Sequence, residues 1–268
     1  MMKIGFIGLG NMGGSLARLV AKDERFRSEL LLANRSRDKA EKIAAEVGGQ
    51  PANNAEVFAQ AEVIFLGIKP AQFADLLAEY QEVLEKRESL LLISMAAGLP
   101  LELLEKLTPS HHRWIRIMPN TPVAVGEGGI TYALSPEANQ VDEDLLQELL
   151  SSAGLLVKLE EKQLDAATAL AGCGPAFVYL FIEALADAGV RVGLSRDISL
   201  QLANQTLLGA AKLSQVSGKH PAQLKDQVCS PAGSTIAGVA SLEENAFRGT
   251  VMDAVQAAYK RTQELGNN

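Results

Sequence analysis

Short apolar runs alternate with stretches of helical periodicity along the first part of the chain. Residues 3–8, read Lys3-Ile4-Gly5-Phe6-Ile7-Gly8, predict a buried strand, and residues 11–21 predict an amphipathic helix. Residues 30–34 predict a second strand, and 36–47 a helix with Ser36 as its N-cap. The strand signature returns at 62–68, 90–94 and 113–118, with helical patterns at 71–84 and 100–107 between them. Two more strands, 130–134 and 155–159, enclose a helix at 141–151. Such βαβα alternation predicts a doubly wound parallel sheet with right-handed crossovers.

After about residue 160 the period-2 runs stop. Segments 162–171, 176–193, 196–216, 221–228, 234–243 and 245–265 carry apolar residues at helical spacing. Gly172-Cys173-Gly174-Pro175 predicts a break between the first two, because proline suits the first turn of a helix. The chain is thus expected to divide into an α/β domain, 1–159, and an all-α domain, 160–268. Residues 176–189 and 201–213 hold more apolar surface than a small helical domain covers, which predicts burial against another subunit.

Composition narrows the function classes. At 268 residues, 47% hydrophobic and 21% charged, the chain is expected to be a soluble globular protein. The net charge of −7 offers no basic footprint for nucleic acid or anionic membrane. No spanning helix or signal segment is expected, because glycines and then charges interrupt the first apolar run. Two cysteines, Cys173 and Cys229, form neither a disulfide framework nor a zinc cluster, which favours the reducing cytoplasm.

Gly8-Leu9-Gly10-Asn11-Met12-Gly13 is a G-x-G-x-x-G set between the first strand and the first helix, the context a dinucleotide site requires. The first glycine allows the tight turn, the second admits the pyrophosphate to the backbone, and the third lets helix and sheet close up. After the second strand an NAD-binding chain would place a carboxylate on the ribose 2′-hydroxyl. Here stand Asn34, Arg35, Ser36 and Arg37, which suit a 2′-phosphate instead. NADP(H) is the expected cofactor, with NAD(H) possible. Lys69 and Ala97 follow further strands and could face the cofactor, or belong to ordinary loops, as could the turn Met118-Pro119-Asn120-Thr121-Pro122. Near the C-terminus, Ser230-Pro231-Ala232-Gly233-Ser234-Thr235 opens a helix with hydroxyls and no charge. It is a backbone anion site for a small carboxylate, or a simple helix cap.

Taken together, FIGLGNMG, NRS, IKP, SMAAG, MPNTP, AGCGPAF and HPAQLKDQVCSPAGST resemble the pyrroline-5-carboxylate reductase family over essentially the whole chain. The resemblance implies reduction of 1-pyrroline-5-carboxylate to L-proline with hydride from NAD(P)H. It also implies a Rossmann domain and a helical domain that interlocks into a homodimer, with dimers joining into a larger ring such as a decamer. The family's cofactor residues fall on Ile7, Gly8, Gly10, Asn11, Met12, Asn34, Asn54, Ile68, Lys69 and Ala97. Its substrate loop falls on Ser230, Gly233, Ser234 and Thr235, with Glu161 also near the substrate and Thr235 toward the ring nitrogen. Two positions depart from the family: Ala232 replaces a common glycine, and Cys173 a common serine.

A substrate bound as an iminium needs no strong general acid, and His111, His112 and His220 supply no clear candidate; His220, just before Pro221, suits the start of a helix better. GLGNMG also resembles the opening of β-hydroxyacid dehydrogenases, but their catalytic lysine has no counterpart in Pro175-Ala176-Phe177-Val178-Tyr179-Leu180. A non-catalytic NADP(H)-binding regulator would keep the first turn and have no use for the 230–235 loop.

Overall fold

The computed structural model describes residues 2–266. Eight strands form one sheet: β1 (Ile4–Ile7), β2 (Leu30–Ala33), β3 (Gln50–Ala52), β4 (Val63–Leu66), β5 (Leu91–Ser94), β6 (Arg113–Pro119), β7 (Gly128–Leu134) and β8 (Gly154–Lys158). Their order is β3-β2-β1-β4-β5-β6-β7-β8. β1 pairs in parallel with both β2 and β4, so the strand order reverses there and a crevice opens at the carboxyl ends. The four central strands are buried along their whole lengths. Alternate residues serve opposite faces. Phe6, Leu32, Phe65 and Ile93 join one core, while Ile7, Leu31, Ile64 and Leu92 join the other. Phe6 and Phe65 stack across neighbouring strands with ring centres 4.6 Å apart.

The sheet is not wholly parallel. β7 runs antiparallel to β6, with Ile117 opposite Tyr132. The connection between them holds only the 3-10 turn Thr121–Val125, far short of the dozen or so residues a parallel crossover needs. Two short helices, Glu24–Arg27 and Asn54–Gln60, and the edge strand β3 are additions to the expected pattern. β3 contains Pro51, tolerated because an edge strand can spare one N–H. The helix expected at 71–84 is a 3-10 turn, Pro70–Gln72, followed by helices Phe73–Glu79 and Gln81–Lys86. Ser36 occupies the N-cap of Arg37–Val47, but its side chain makes no capping bond.

Two compact units are formed by Met1–Cys173 with Ala258–Asn268, and by Gly174–Ala257. The 159/160 boundary thus falls inside the first unit. In the second, helices Gly174–Arg191 and Arg196–Ser217 pack along each other, followed by Pro221–Gln227 and Ser234–Glu244. Gly189 sits directly over Ser199, where an added Cβ would lie 2.5 Å from the hydroxyl oxygen. The break expected at 172–175 is a π-helical turn, Thr168–Gly172, closed by the Cys173 N–H on the Thr168 carbonyl at 2.9 Å. Helical structure therefore runs over Glu161–Arg191, 31 residues that include an 18-residue window of mean hydropathy 1.7, long and apolar enough to cross a membrane by length and composition alone. This corrects the expectation that no such stretch occurs. Within the second unit Val178, Tyr179 and Leu180 are exposed, which accounts for part of that apolar surface.

His112 lies in the core beside β6. Its Nδ1 accepts from the Leu90 N–H at 3.1 Å and its Nε2 donates to the Leu84 carbonyl at 3.0 Å. Burial, reinforced by neighbouring His111, pulls its pKa down to about 4. The unfolded chain takes up this proton near pH 6.5, before the folded one does, so the contribution to stability is complete above that pH and falls as pH drops toward 4. The melting temperature should therefore fall between pH 7 and pH 5, and should fall less in His112→Gln, as thermal denaturation across that range will show.

Candidate dinucleotide and carboxylate sites

The turn after β1 is built by close backbone approach. Gly8 has φ of +92°, and a Cβ there would lie 2.5 Å from the Gly67 carbonyl oxygen. A Cβ on Gly13 would overlap the Gly8 carbonyl, whereas one on Gly10 meets nothing within 4 Å. Gly8 and Gly13 thus close the helix Asn11–Val20 against the sheet, and Gly10 leaves its outer side open. The free N–H groups of that helix start face the crevice, the arrangement that receives a phosphate.

A cleft of about 700 Å³ follows, lined by Ile7, Gly8, Gly10, Asn34, Arg35, Asn54, Ile68 and Lys69. The structure therefore brings eight of the expected cofactor residues together. Asn11 and Met12 are not in its lining; they begin the first helix, and Met12 packs partly on the core. Ala97 is exposed on the segment after β5, outside the cleft lining. Residues the sequence reading passed over also line the cleft: Gln72, Asp75, Leu76 and Glu79. Asp75, Leu76 and Glu79 share one face of the Phe73–Glu79 helix, and Gln72 is the residue just before it; the three-to-four-residue spacing of the four was already present in the helix expected at 71–84.

Asn34 organises the part of the cleft beside β2. Its Oδ1 accepts from the Leu9 N–H at 3.0 Å and its Nδ2 donates to the Ser36 carbonyl at 3.2 Å, tying the two strand-end turns together. An adjoining hollow of about 280 Å³ is lined by Asn34, Arg35, Arg37, Asn54 and Tyr80, among others. The two arginines differ. Arg37 pairs with Glu41 at 2.9 Å, whereas Arg35 is exposed and has no ion pair among the described residues. Asn54 is presented by a capping box in which Asn53 and Glu56 exchange bonds of 2.8 and 2.9 Å. Asn120 in the proline-flanked turn is structural, holding Gly129 at 2.8 Å and Ala171 at 3.0 Å.

In the second unit, the Gly233 N–H closes a turn on the Ser230 carbonyl at 3.0 Å. Ala232, with φ of +57°, occupies the left-handed position where glycine is preferred, a strain on the order of 1 kcal/mol. Gly233 is the N-cap of Ser234–Glu244 and gives no side-chain bond. A Cβ on Gly233 would overlap the Ser230 hydroxyl. Ser234 and Thr235 are exposed in the first turn, and neither hydroxyl makes a hydrogen bond among the described residues. The helix start therefore offers bare N–H groups flanked by free hydroxyls, with no cap in place.

Glu161 belongs to the first unit and is already bonded: one carboxylate oxygen accepts from the Leu101 N–H at 2.6 Å and from buried Arg116 at 3.1 Å. His220 is the N-cap of Pro221–Gln227, its Nδ1 accepting from the Ala222 N–H at 3.2 Å, so the helix-start reading of this residue is the one observed. Among the described residues no cluster of histidine, cysteine and carboxylate could hold a metal.

The glycines give a contrasting pair of variants. Gly10→Val should fold normally yet lose dinucleotide binding, since its side chain enters the cleft. Gly13→Ala should instead lower the melting temperature, since its Cβ strikes the Gly8 carbonyl. Fluorescence titration with NADPH and thermal denaturation of both variants test this.

Comparison with known proteins accords with this geometry. A family model described as "Pyrroline-5-carboxylate reductase dimerisation" matches residues 161–265, and one described as "NADP oxidoreductase coenzyme F420-dependent" matches residues 3–98. The pyrroline-5-carboxylate reductase of Pisum sativum is 43% identical over 98% of this chain and 95% of its own. That of Arabidopsis thaliana is 41% identical over 99% and 96%. The crystal structure of the Plasmodium falciparum pyrroline carboxylate reductase with NADP bound superposes with a TM-score of 0.88, at 36% identity, covering 99% of this chain and 98% of that one. With a glycine-rich turn between β1 and the first helix, an uncapped and uncharged helix start in the second unit, and relatives alike from end to end, the chain belongs to the pyrroline-5-carboxylate reductase family.

Proposed function

We propose that this chain reduces 1-pyrroline-5-carboxylate to L-proline, holding NADPH in the cleft of the first unit and the substrate carboxylate at the start of the Ser234–Glu244 helix. The observation that carries the reading is that uncapped helix start, where free N–H groups and two unbonded hydroxyls meet without any basic residue. Bound NADPH supplies the hydride. The protein's own part is orientation and electrostatics. The N–H groups of Gly233, Ser234 and Thr235 receive the carboxylate, and Ser230 shapes the turn that presents them. Thr235 turns its hydroxyl toward the ring nitrogen, which as an iminium accepts the hydride equivalent at its neighbouring carbon without a strong acid. A β-hydroxyacid dehydrogenase reaction lacks its lysine, since Arg191 is the one basic residue in Gly174–Arg191.

NADPH is favoured over NADH because Arg35 has no ion pair among the described residues and the turn after β2, Asn34-Arg35-Ser36-Arg37, carries no carboxylate where an NAD-binding chain would place one; NADH is accepted more weakly. The active form is a homodimer through the second unit, whose apolar groove of about 490 Å³, lined by Phe177, Leu180, Phe181 and Val251 among others, is suited to a second copy. Dimers then join into a larger ring such as a decamer. The free cysteines Cys173 and Cys229 suit the cytoplasm. The deciding experiment is NADPH oxidation with and without 1-pyrroline-5-carboxylate: oxidation that does not depend on the imine would refute the reading.

Arg35→Ala should weaken NADPH by about 1–3 kcal/mol, the range for a hydrogen bond to a charged group, and leave NADH nearly unchanged. Equal losses in KM for the two cofactors would remove Arg35 from the phosphate.

For Thr235, the structure excludes a capping bond, so Thr235→Ala should leave melting unchanged while kcat/KM for 1-pyrroline-5-carboxylate drops by about 1–2 kcal/mol. Thr235→Ser should recover most of the activity. Steady-state kinetics of the two variants settle the hydroxyl's role.

A further inference from the structure

Arg116 is the charged residue of β6 that the sheet buries most completely, 4% exposed between Ile115 and Ile117, both inaccessible. Its Nη1 donates to Glu161 at 3.1 Å and its Nη2 to Asp165 at 3.3 Å, while its buried Nε has no partner. The carboxylate oxygen it holds is the one that also accepts from the Leu101 N–H. Leu101 begins the helix that ends the segment leaving β5, and Ala97 lies on that segment. On its other side the segment abuts the cleft floor, since the Met95 sulfur would lie 3.3 Å from a Cβ on Gly67.

We infer that Arg116 is a positioning residue for hydride transfer: through Glu161 it fixes the segment after β5 at the carboxyl edge of the sheet. This rests on the reading that the nicotinamide end of the cofactor lies at that edge. A leucine or methionine at this position would extend the apolar core at no desolvation cost, whereas a buried guanidinium with one nitrogen unbonded is an expensive way to stabilise a sheet. What the cation achieves that an apolar side chain cannot is to hold one oxygen of Glu161 in place. That oxygen in turn pins the first N–H of the Leu101–Lys106 helix. Without the cation, Glu161 and Asp165 face each other as like charges, and the bond to Leu101 loses its fixed acceptor.

The test compares wild type, Arg116→Met and Arg116→Lys in NADPH titration, steady-state kinetics and melting. With NADPH affinity within about twofold of wild type, kcat of Arg116→Met should fall at least about tenfold. The deuterium isotope effect on kcat, measured with NADPH deuterated at the transferred position, should rise as hydride transfer becomes limiting. Arg116→Lys keeps a cation for Glu161 and should recover part of kcat; it also carries the test if the methionine variant fails to fold. A lower melting temperature with wild-type kcat and isotope effect in the folded variant would overturn the inference and leave Arg116 a structural ion. Failure of the wild-type protein to bind NADPH would instead overturn the cofactor reading.

Discussion

Three glycine backbones in contact hold the first unit together. Gly8 is pressed between Gly13 on the first helix and Gly67 at the end of β4, and a Cβ on either neighbour would strike its carbonyl. Close packing at this point brings the helix start down onto the strand ends and turns a gap between strands into a cleft. The reversal of strand order at β1 supplies the gap, and the glycines set its depth. Beside β2 the cleft is then tied by Asn34, whose one side chain links the Leu9 N–H to the Ser36 carbonyl.

Charge is distributed with similar economy. Of the two arginines after β2, one is occupied by Glu41 and the other has no ion pair among the described residues, so a phosphate there would find a single unpaired guanidinium. On β6, between β5 and β7, the cation is buried and its carboxylates hold it. An exposed guanidinium costs little to leave unpaired and can bind a ligand, whereas a buried one must be paired and therefore serves to fix its partners.

The helical unit works by backbone geometry. Its candidate anion site is a turn and a helix start, with Ala232 held in a left-handed conformation that its Cβ resists. Strain of this kind persists when the surrounding structure dictates it, and such residues cluster at functional sites. The exposed apolar residues of Gly174–Arg191 belong to the same unit and mark it as a surface made for another protein chain.

The alternation of apolar runs and helical periods determined the α/β class, the start of each central strand to within a residue or so, and the dinucleotide turn. These signals are local: continuous burial of β1, β2, β4 and β5 writes itself as uninterrupted apolar sequence, and Gly8-Leu9-Gly10-Asn11-Met12-Gly13 is a contiguous motif in which Gly13 is demanded by nearby Gly8, although Gly8 itself answers to distant Gly67 and Ile68. The family resemblance rested on equally local motifs. What only the tertiary structure decided depends on partners distant along the chain. The direction of β7 followed from a connection too short to cross over. Asn120 became structural because Gly129 and Ala171 meet it, and the pKa of His112 fell because the fold buries it beside His111. Whether Arg35 or Arg37 stays free turned on Glu41, and Arg116 was unremarkable in sequence until folding buried it against Glu161 and Asp165. Apolar periodicity records whether a residue is buried, but a polar side chain's role depends on which group faces it, and only the folded chain brings that group near.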